Sequence, residues 1–250
     1  MRITDLVPVP DLLGMRRVLC IQPHPDDMEV GAGATVARLC RAGGRVRVVT
    51  VTDGGVGSAD PAMSPAELAA VRRGEAEAAA RLLGVAEMGW LGFPDGGELE
   101  EGAVRRALAR EIRAFRPDLL LAPDPWLPYE AHPDHRLTGL AAAAAAILAA
   151  FPYALRSGEG PEPRHEVQAV AFYGTAAPNT RVDVGETWAL KLEALRAHRS
   201  QFPPETWPFV QAYFEGKARE IGAGAGCELA EAFKVLPPIA LHFNVDAAAS

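Results

Sequence analysis

The chain reads as an α/β protein, a Rossmann-like and mostly parallel sheet flanked by helices, and three observations predict it. Short apolar β-type runs alternate with longer helix-type runs, which is the pattern of βαβ units. The first apolar run passes directly into a polar, Pro-containing turn and then a helix pattern, as happens at the C-terminal edge of a parallel strand. Finally, 250 residues at 49% hydrophobic and 23% charged suffice to bury one full core.

The elements follow in order. A strand is expected near Val18–Ile21, then a helix near Val30–Ala42 and a second strand near Val46–Val51. The helix near Pro65–Leu83 has Pro in its first turn, where a missing N–H costs nothing. A strand near Glu87–Trp90, a helix near Glu101–Phe115 and a strand near Leu119–Ala122 come next. The helix near Pro133–Ala149 again starts on Pro, and its Ala-rich run Leu137 to Ala150 falls short of the ~20 residues a membrane span needs. Arg156 to His165, rich in Gly, Pro and charge, reads as a loop, and so does Gly222 to Gly226. Between them lie a strand near Ala169–Tyr173 and a helix near Gly185–His198. One domain over residues 1–250 is expected, with 1–14 as an N-terminal extension and 247–250 as a frayed tail.

Composition excludes several classes. A net charge of -7 with scattered Lys and Arg speaks against a general nucleic-acid binder, because affinity for phosphate backbones comes from clustered basic residues. Cys20, Cys40 and Cys227 form neither an even disulfide framework nor a CxxC pair, so they are read as reduced. The start carries Pro8 and Pro10 and no long apolar core, unlike a signal peptide. A cytoplasmic location away from membranes is the expectation.

Two runs carry chemistry. Gln22-Pro23-His24-Pro25-Asp26-Asp27-Met28-Glu29 follows the first apolar run, and His132-Pro133-Asp134-His135 opens the Ala-rich helix. Zinc takes imidazole and carboxylate ligands, and a catalytic site supplies three of them while leaving a fourth position open. His24, Asp27 and His135 can supply those three. Two His and a carboxylate also suit iron(II), so one divalent ion is expected, zinc first and iron(II) second. Taken alone, His-Pro-Asp-Asp is equally a helix N-cap at the positive end of a dipole. The second run tips the reading toward a metal.

The same runs bring in a resemblance. His-Pro-Asp-Asp followed closely by Glu, with a later His-Pro-Asp-His, resembles the LmbE-like family, also called PIG-L, of metal-dependent N-deacetylases acting on N-acetylglucosaminyl compounds. The likeness continues through Asp53-Gly54-Gly55, Arg72-Arg73-Gly74-Glu75, Leu82-Leu83-Gly84, Gly92-Phe93-Pro94-Asp95-Gly96 and His198-Arg199-Ser200-Gln201, and so spans roughly residues 17–205. It implies a hydrolase removing acetyl from the nitrogen of an N-acetylated amino-sugar conjugate, with an amidase acting on a larger acyl or thiol-conjugate amide as the alternative. It also implies a homo-oligomer.

Roles follow from the resemblance residue by residue. Asp26 becomes the general base toward the attacking water. His132 becomes the group that stabilises the oxyanion and protonates the leaving amine. Spacing alone shows only that His132 and His135 share one helical face. Arg72 matches an Arg-x-x-Glu that lines the family pocket, although it also reads as a helix arginine paired with Glu75. Asp95 and Asp53 can accept sugar hydroxyls or simply make turns. His198 matches a family His near the pocket or is a helix-end histidine. Asp134 is assigned to the helix dipole, and Glu29 to hydrogen bonds holding the metal turn. Tyr129 is the nearest candidate for an oxyanion tyrosine used in the family, but it lies three residues before His132 rather than two. Glu130 occupies the expected place.

Other classes fit less well. A dinucleotide module requires GxGxxG between first strand and helix, whereas Gly31-Ala32-Gly33-Ala34-Thr35-Val36 lacks the third Gly. Iron(II) oxygenases with two His and a carboxylate usually sit on all-β barrels. A non-catalytic sugar- or metal-binding protein has no need of Asp26 and His132 beside the triad.

Overall fold

The computed structural model describes residues 3–97, 99–156 and 158–250. Its centre is β1 (Arg17–Gln22), which pairs in parallel with β2 (Arg45–Thr52) on one side and β4 (Leu119–Pro123) on the other. Outside these lie β3 (Glu87–Phe93) against β2 and β5 (Ala169–Tyr173) against β4, both parallel. In β1, Val18 and Cys20 face one apolar layer and Leu19 and Ile21 the other. A strand covered on both faces has no polar side to alternate with, hence its continuous apolar run.

α1 (Asp27–Arg41), α2 (Pro65–Leu83) and α5 (Trp188–Ala197) contribute to the first layer, and α3 (Glu101–Phe115) and α4 (Pro133–Leu148) to the second. Ser64 and Glu67 form a reciprocal capping box at the start of α2. The alanines of α4 are small enough to let that helix lie close on the sheet; Ala141, Ala142, Ala145 and Ala146 are buried. Among the described residues no helix is long and apolar enough to cross a membrane.

The predicted strands and helices are present, and the structure adds three elements. The sheet continues past β5 through the antiparallel β7 (Ala230–Leu236) to the edge strand β6 (Thr180–Asp183), and α6 (Trp207–Ala223) packs beside them. β7 is obscured by charge. Glu231 and Lys234 interrupt its apolar run, yet Glu231 is buried by accepting from Lys191 Nζ at 2.6 Å and from the Ala34 and Thr35 backbone N–H groups at 3.2 and 2.7 Å. β6 offers only one buried residue, Val182.

Four boundaries shift. α1 starts at Asp27 rather than Val30, because Asp26 with φ 119° turns the chain into the helix directly. α6 runs through Gly222, where an added Cβ would meet Cys227 O at 2.7 Å, so only the end of the expected 222–226 loop remains irregular. The expected frayed tail is instead a 3₁₀ turn, Ala247–Ala249. Lys234 Nζ donates to Ala248 O at 3.1 Å, and Asn179 Nδ2 to Ser250 O at 3.3 Å. The expected N-terminal extension is tied down too, by Leu12, which is buried in the first layer.

The strand order β3-β2-β1-β4-β5-β7-β6 reverses direction of growth between β1 and β4. The two motif-bearing turns leave the C-terminal ends of those two adjacent strands, at the switch point where sheets of this kind bind ligands.

Candidate active site and metal centre

The first turn is built from its own residues. Gln22, the last residue of β1, donates to Thr50 Oγ1 at 2.8 Å and accepts the Met28 N–H at 3.0 Å, which fixes where α1 begins. Asp27 Oδ2 accepts the His24 N–H at 2.8 Å and lies 3.2 Å from His24 Nδ1. Arg72 reaches this turn from α2, donating to Pro25 O at 2.8 Å, Gly54 O at 3.0 Å and Asp26 Oδ1 at 3.1 Å. Burial, followed by the charge of Asp27, pushes the Asp26 carboxyl up to about 7 against the pull of Arg72.

The second turn approaches from β4. Successive turns, Leu127 N to Asp124 O and Glu130 N to Leu127 O, lead into His132, the N-cap of α4. His132 Nδ1 accepts the Asp134 N–H at 3.3 Å, so the hydrogen of a neutral ring sits on Nε2. Burial, then the neighbouring His24 and His135, lower its pKa. The His132 and His135 rings stack with centroids 4.7 Å apart, and His24 meets His132 edge-on at 4.7 Å.

His24, Asp27 and His135 fit a divalent ion. A tetrahedral site with bonds near 2.0–2.2 Å needs ligand atoms about 3.3 Å apart. His24 Nδ1 lies 3.2 Å from one oxygen of Asp27, and His135 Nε2 lies 3.4 Å from the other. The remaining ring nitrogens are held by carboxylates, as metal-binding histidines usually are. His24 Nε2 has Asp95 Oδ1 at 3.0 Å and Asp134 Oδ2 at 3.3 Å, and His135 Nδ1 has Glu130 Oε2 at 3.1 Å. Burial opposes charge on His24, but hydrogen bonds to Asp27 and Asp95 and their charges raise its pKa to about 10. A second possible grouping, His24, Asp95, His132 and Asp134, has less room for an ion, because backbone N–H groups of Val56 and Gly96 already donate to Asp95 and Asp134 at 3.1 and 3.2 Å.

The structure thus brings His24, Asp26, Asp27, His132, His135, Arg72 and Asp95 together, and it changes how several of them are read. Arg72, expected at the pocket as a substrate contact, is 4% exposed and braces Asp26 from below. Its expected partner Glu75 accepts instead from Ser200 N and Oγ, at 2.9 and 2.6 Å. Asp95, expected to take a sugar hydroxyl, has both oxygens committed, one to His24 and one to Val56 N. His198 is fully buried and so has no surface for substrate; its Nε2 lies 3.6 Å from Glu29 Oε1. Glu29 was expected to hold the turn by hydrogen bonds, but neither of its oxygens has such a partner among the described residues. Asp134, assigned to the helix dipole, is also a partner of His24.

Asp53 and Tyr129 stand apart from the cluster. Asp53 accepts from Gly55 N at 3.0 Å and borders a shallow cavity with Arg73 and Trp90. Tyr129 has φ 66° and is fully exposed, because the turn ending at Glu130 swings it outward. Sequence reasoning missed Glu130 as a partner of His135. Five residues is not a helical spacing, so only the turn geometry reveals it. Beside the same loop, a cavity of about 770 Å³ is bordered by Trp126, Pro128, Phe172 and Lys234.

A switch-point cluster of two His and one Asp, with its ring nitrogens held by carboxylates and a further, partly buried carboxylate alongside, defines a Rossmann-like protein with a metal-site architecture. Comparison with known proteins gives the family. The family model PIG-L, GlcNAc-PI de-N-acetylase, matches residues 19–146, and the chain belongs to that family. It is 40% identical over 230 residues to the diacetylchitobiose deacetylase of Thermococcus kodakarensis, covering 91% of this chain and 86% of that protein. A probable N-acetyl-alpha-D-glucosaminyl L-malate deacetylase 2 of Bacillus anthracis is 31% identical, over 80% and 88% of the two chains. The structure of N,N'-diacetylchitobiose deacetylase from Pyrococcus horikoshii superposes with a TM-score of 0.87 at 40% identity, over 92% of this chain and 87% of that one.

Proposed function

We propose that this protein is a zinc-dependent N-deacetylase that hydrolyses the acetamide of an N-acetylglucosamine-type sugar. The observation that carries this reading is the convergence of His24 Nδ1, Asp27 and His135 Nε2 at ligand spacing, with the Asp26 carboxyl, held by Arg72, next to Asp27. The relatives act in the same chemical class by name: a diacetylchitobiose deacetylase and a deacetylase of an N-acetylglucosaminyl malate.

His24, Asp27 and His135 would hold the ion; when bound, zinc polarises a carbonyl and makes water acidic enough to ionise near pH 7. Asp26 takes the proton from the attacking water, for which a pKa near the working pH is the suitable value. The same group then returns that proton to the departing nitrogen, while the second proton of the water stays with the acetyl group, so acetic acid and a free amine are the balanced products. His132, neutral and carrying its hydrogen on Nε2, donates a hydrogen bond to the oxygen that gains charge. Arg72 holds the Asp26 carboxylate in place, and Asp95 and Asp134 orient His24.

The test is to incubate the zinc-loaded protein with N-acetylglucosamine, N,N'-diacetylchitobiose and an N-acetylglucosaminyl malate and to measure free amine. Release from at least one, abolished by a chelator and restored by zinc, is expected. No amine from any of the three, with the metal bound, would sink the proposal.

A further inference from the structure

Glu130 lies two residues before His132, in the turn that leads from β4 into α4. What Glu130 does is visible in its two oxygens. Oε1 accepts the backbone N–H of His132 at 2.8 Å, and Oε2 lies 3.1 Å from Nδ1 of His135. One side chain therefore ties the loop leaving β4 to both histidines at the head of α4. The carboxylate is partly screened from water, with 21% of its side chain exposed.

An imidazole that presents Nε2 to a cation must carry its hydrogen on Nδ1, and a carboxylate accepting that hydrogen selects the tautomer and fixes the plane of the ring. His24 is treated in the mirror sense, with Asp95 and Asp134 at Nε2 and Nδ1 left toward Asp27. We propose that Glu130 is the positioning residue for His135, holding the ring in the tautomer and plane that offer Nε2 to a divalent cation and thereby setting the affinity of the site for zinc. The inference rests on His24, Asp27 and His135 being the metal ligands. A residue that merely closed the turn would act through its bond to the His132 N–H and would change stability alone.

The experiment measures zinc affinity of the purified full-length chain by competition with a chromophoric chelator. Removing an outer partner of a metal-binding histidine weakens affinity by about 10- to 100-fold, which is the loss expected for Glu130→Ala. Glu130→Gln keeps an acceptor for either N–H and removes only the charge, so it should fall between wild type and Glu130→Ala and should fold even if the alanine variant does not. Nitrogen NMR of His135 should show hydrogen on Nδ1 in wild type and a mixture of tautomers in Glu130→Ala. Zinc affinity of both variants within about threefold of wild type, whatever their melting temperatures, would overturn the proposal. His135→Ala separates the two levels. If it too binds zinc like wild type, the ligand reading has failed and the role of Glu130 falls with it; if only His135→Ala loses zinc, the role of Glu130 alone is wrong.

Discussion

Asp26→Asn is the substitution that most directly tests the chemistry. It keeps the size of the side chain and an oxygen for Arg72 Nη2, 3.1 Å away in the native turn, while removing the basic carboxylate. Asn is also among the few residues that tolerate positive φ, so the 119° backbone of position 26 is preserved. Loss of a general base costs about 10²- to 10⁴-fold, and kcat should fall by that much at pH 8. The pH dependence has a definite sign. Asp26 must be ionised to accept a proton, and burial and Asp27 hold its carboxyl near 7, so wild-type kcat/KM should fall about tenfold per pH unit below that midpoint. A bound cation moves the midpoint down, never up. The Asn variant has no such group, and its weak residual rate should lose this acid limb. Arg72 keeps Pro25 O and Gly54 O, so the melting temperature should shift by no more than about 4 °C, the equivalent of ~1 kcal/mol in a chain of this size. The assay is amine release from N,N'-diacetylchitobiose between pH 5 and 9, with metal content read on the same samples. A variant within tenfold of wild-type kcat, or one that keeps the acid limb, would refute the role of Asp26, and one that loses the metal would make Asp26 a ligand.

Three further outcomes are expected. His135→Ala removes one of the three proposed ligands from a partly exposed position, so the protein should fold, bind far less than one divalent ion per chain and lose turnover; full metal with normal rates would exclude the triad. Arg72→Lys keeps the charge but cannot span Pro25 O, Gly54 O and Asp26 at once, so kcat should fall about tenfold with little change in KM. A raised KM with unchanged kcat would restore the substrate contact that the sequence suggested. Gly31→Ala would place a Cβ 2.2 Å from the Tyr173 ring, whose hydroxyl donates to Ile21 O, so thermal unfolding should show about 1–3 kcal/mol of destabilisation; an unchanged melting temperature would mean that the ring moves freely.

Residues 17–173 carry local signals strong enough to be legible in sequence. The runs that became β1, β4 and β5 are apolar on both faces because helices cover both sides of a parallel sheet, and Pro65 and Pro133 mark the helix starts. His24, Asp27, His132 and His135 stand out because those residue types at the end of a strand or the start of a helix already define a metal-type site. Elements whose cause lies far along the chain were hidden. Glu231 makes β7 look polar until Lys191, 40 residues earlier, buries its charge, and β6 is a strand only because β7 pairs with it. The same holds inside the site. Asp95 and Asp134 read as a turn residue and a helix-start residue until folding sets both against His24 Nε2, and Arg72 reads as a pocket arginine until three acceptors from the turns after β1 and β2 enclose it. The apolar runs and the motif residues are local properties, so the sequence by itself determined the five parallel strands and the residues at their switch point. Which oxygen meets which nitrogen depends on contacts between residues as far as 197 positions apart, and only the packed tertiary structure decided that.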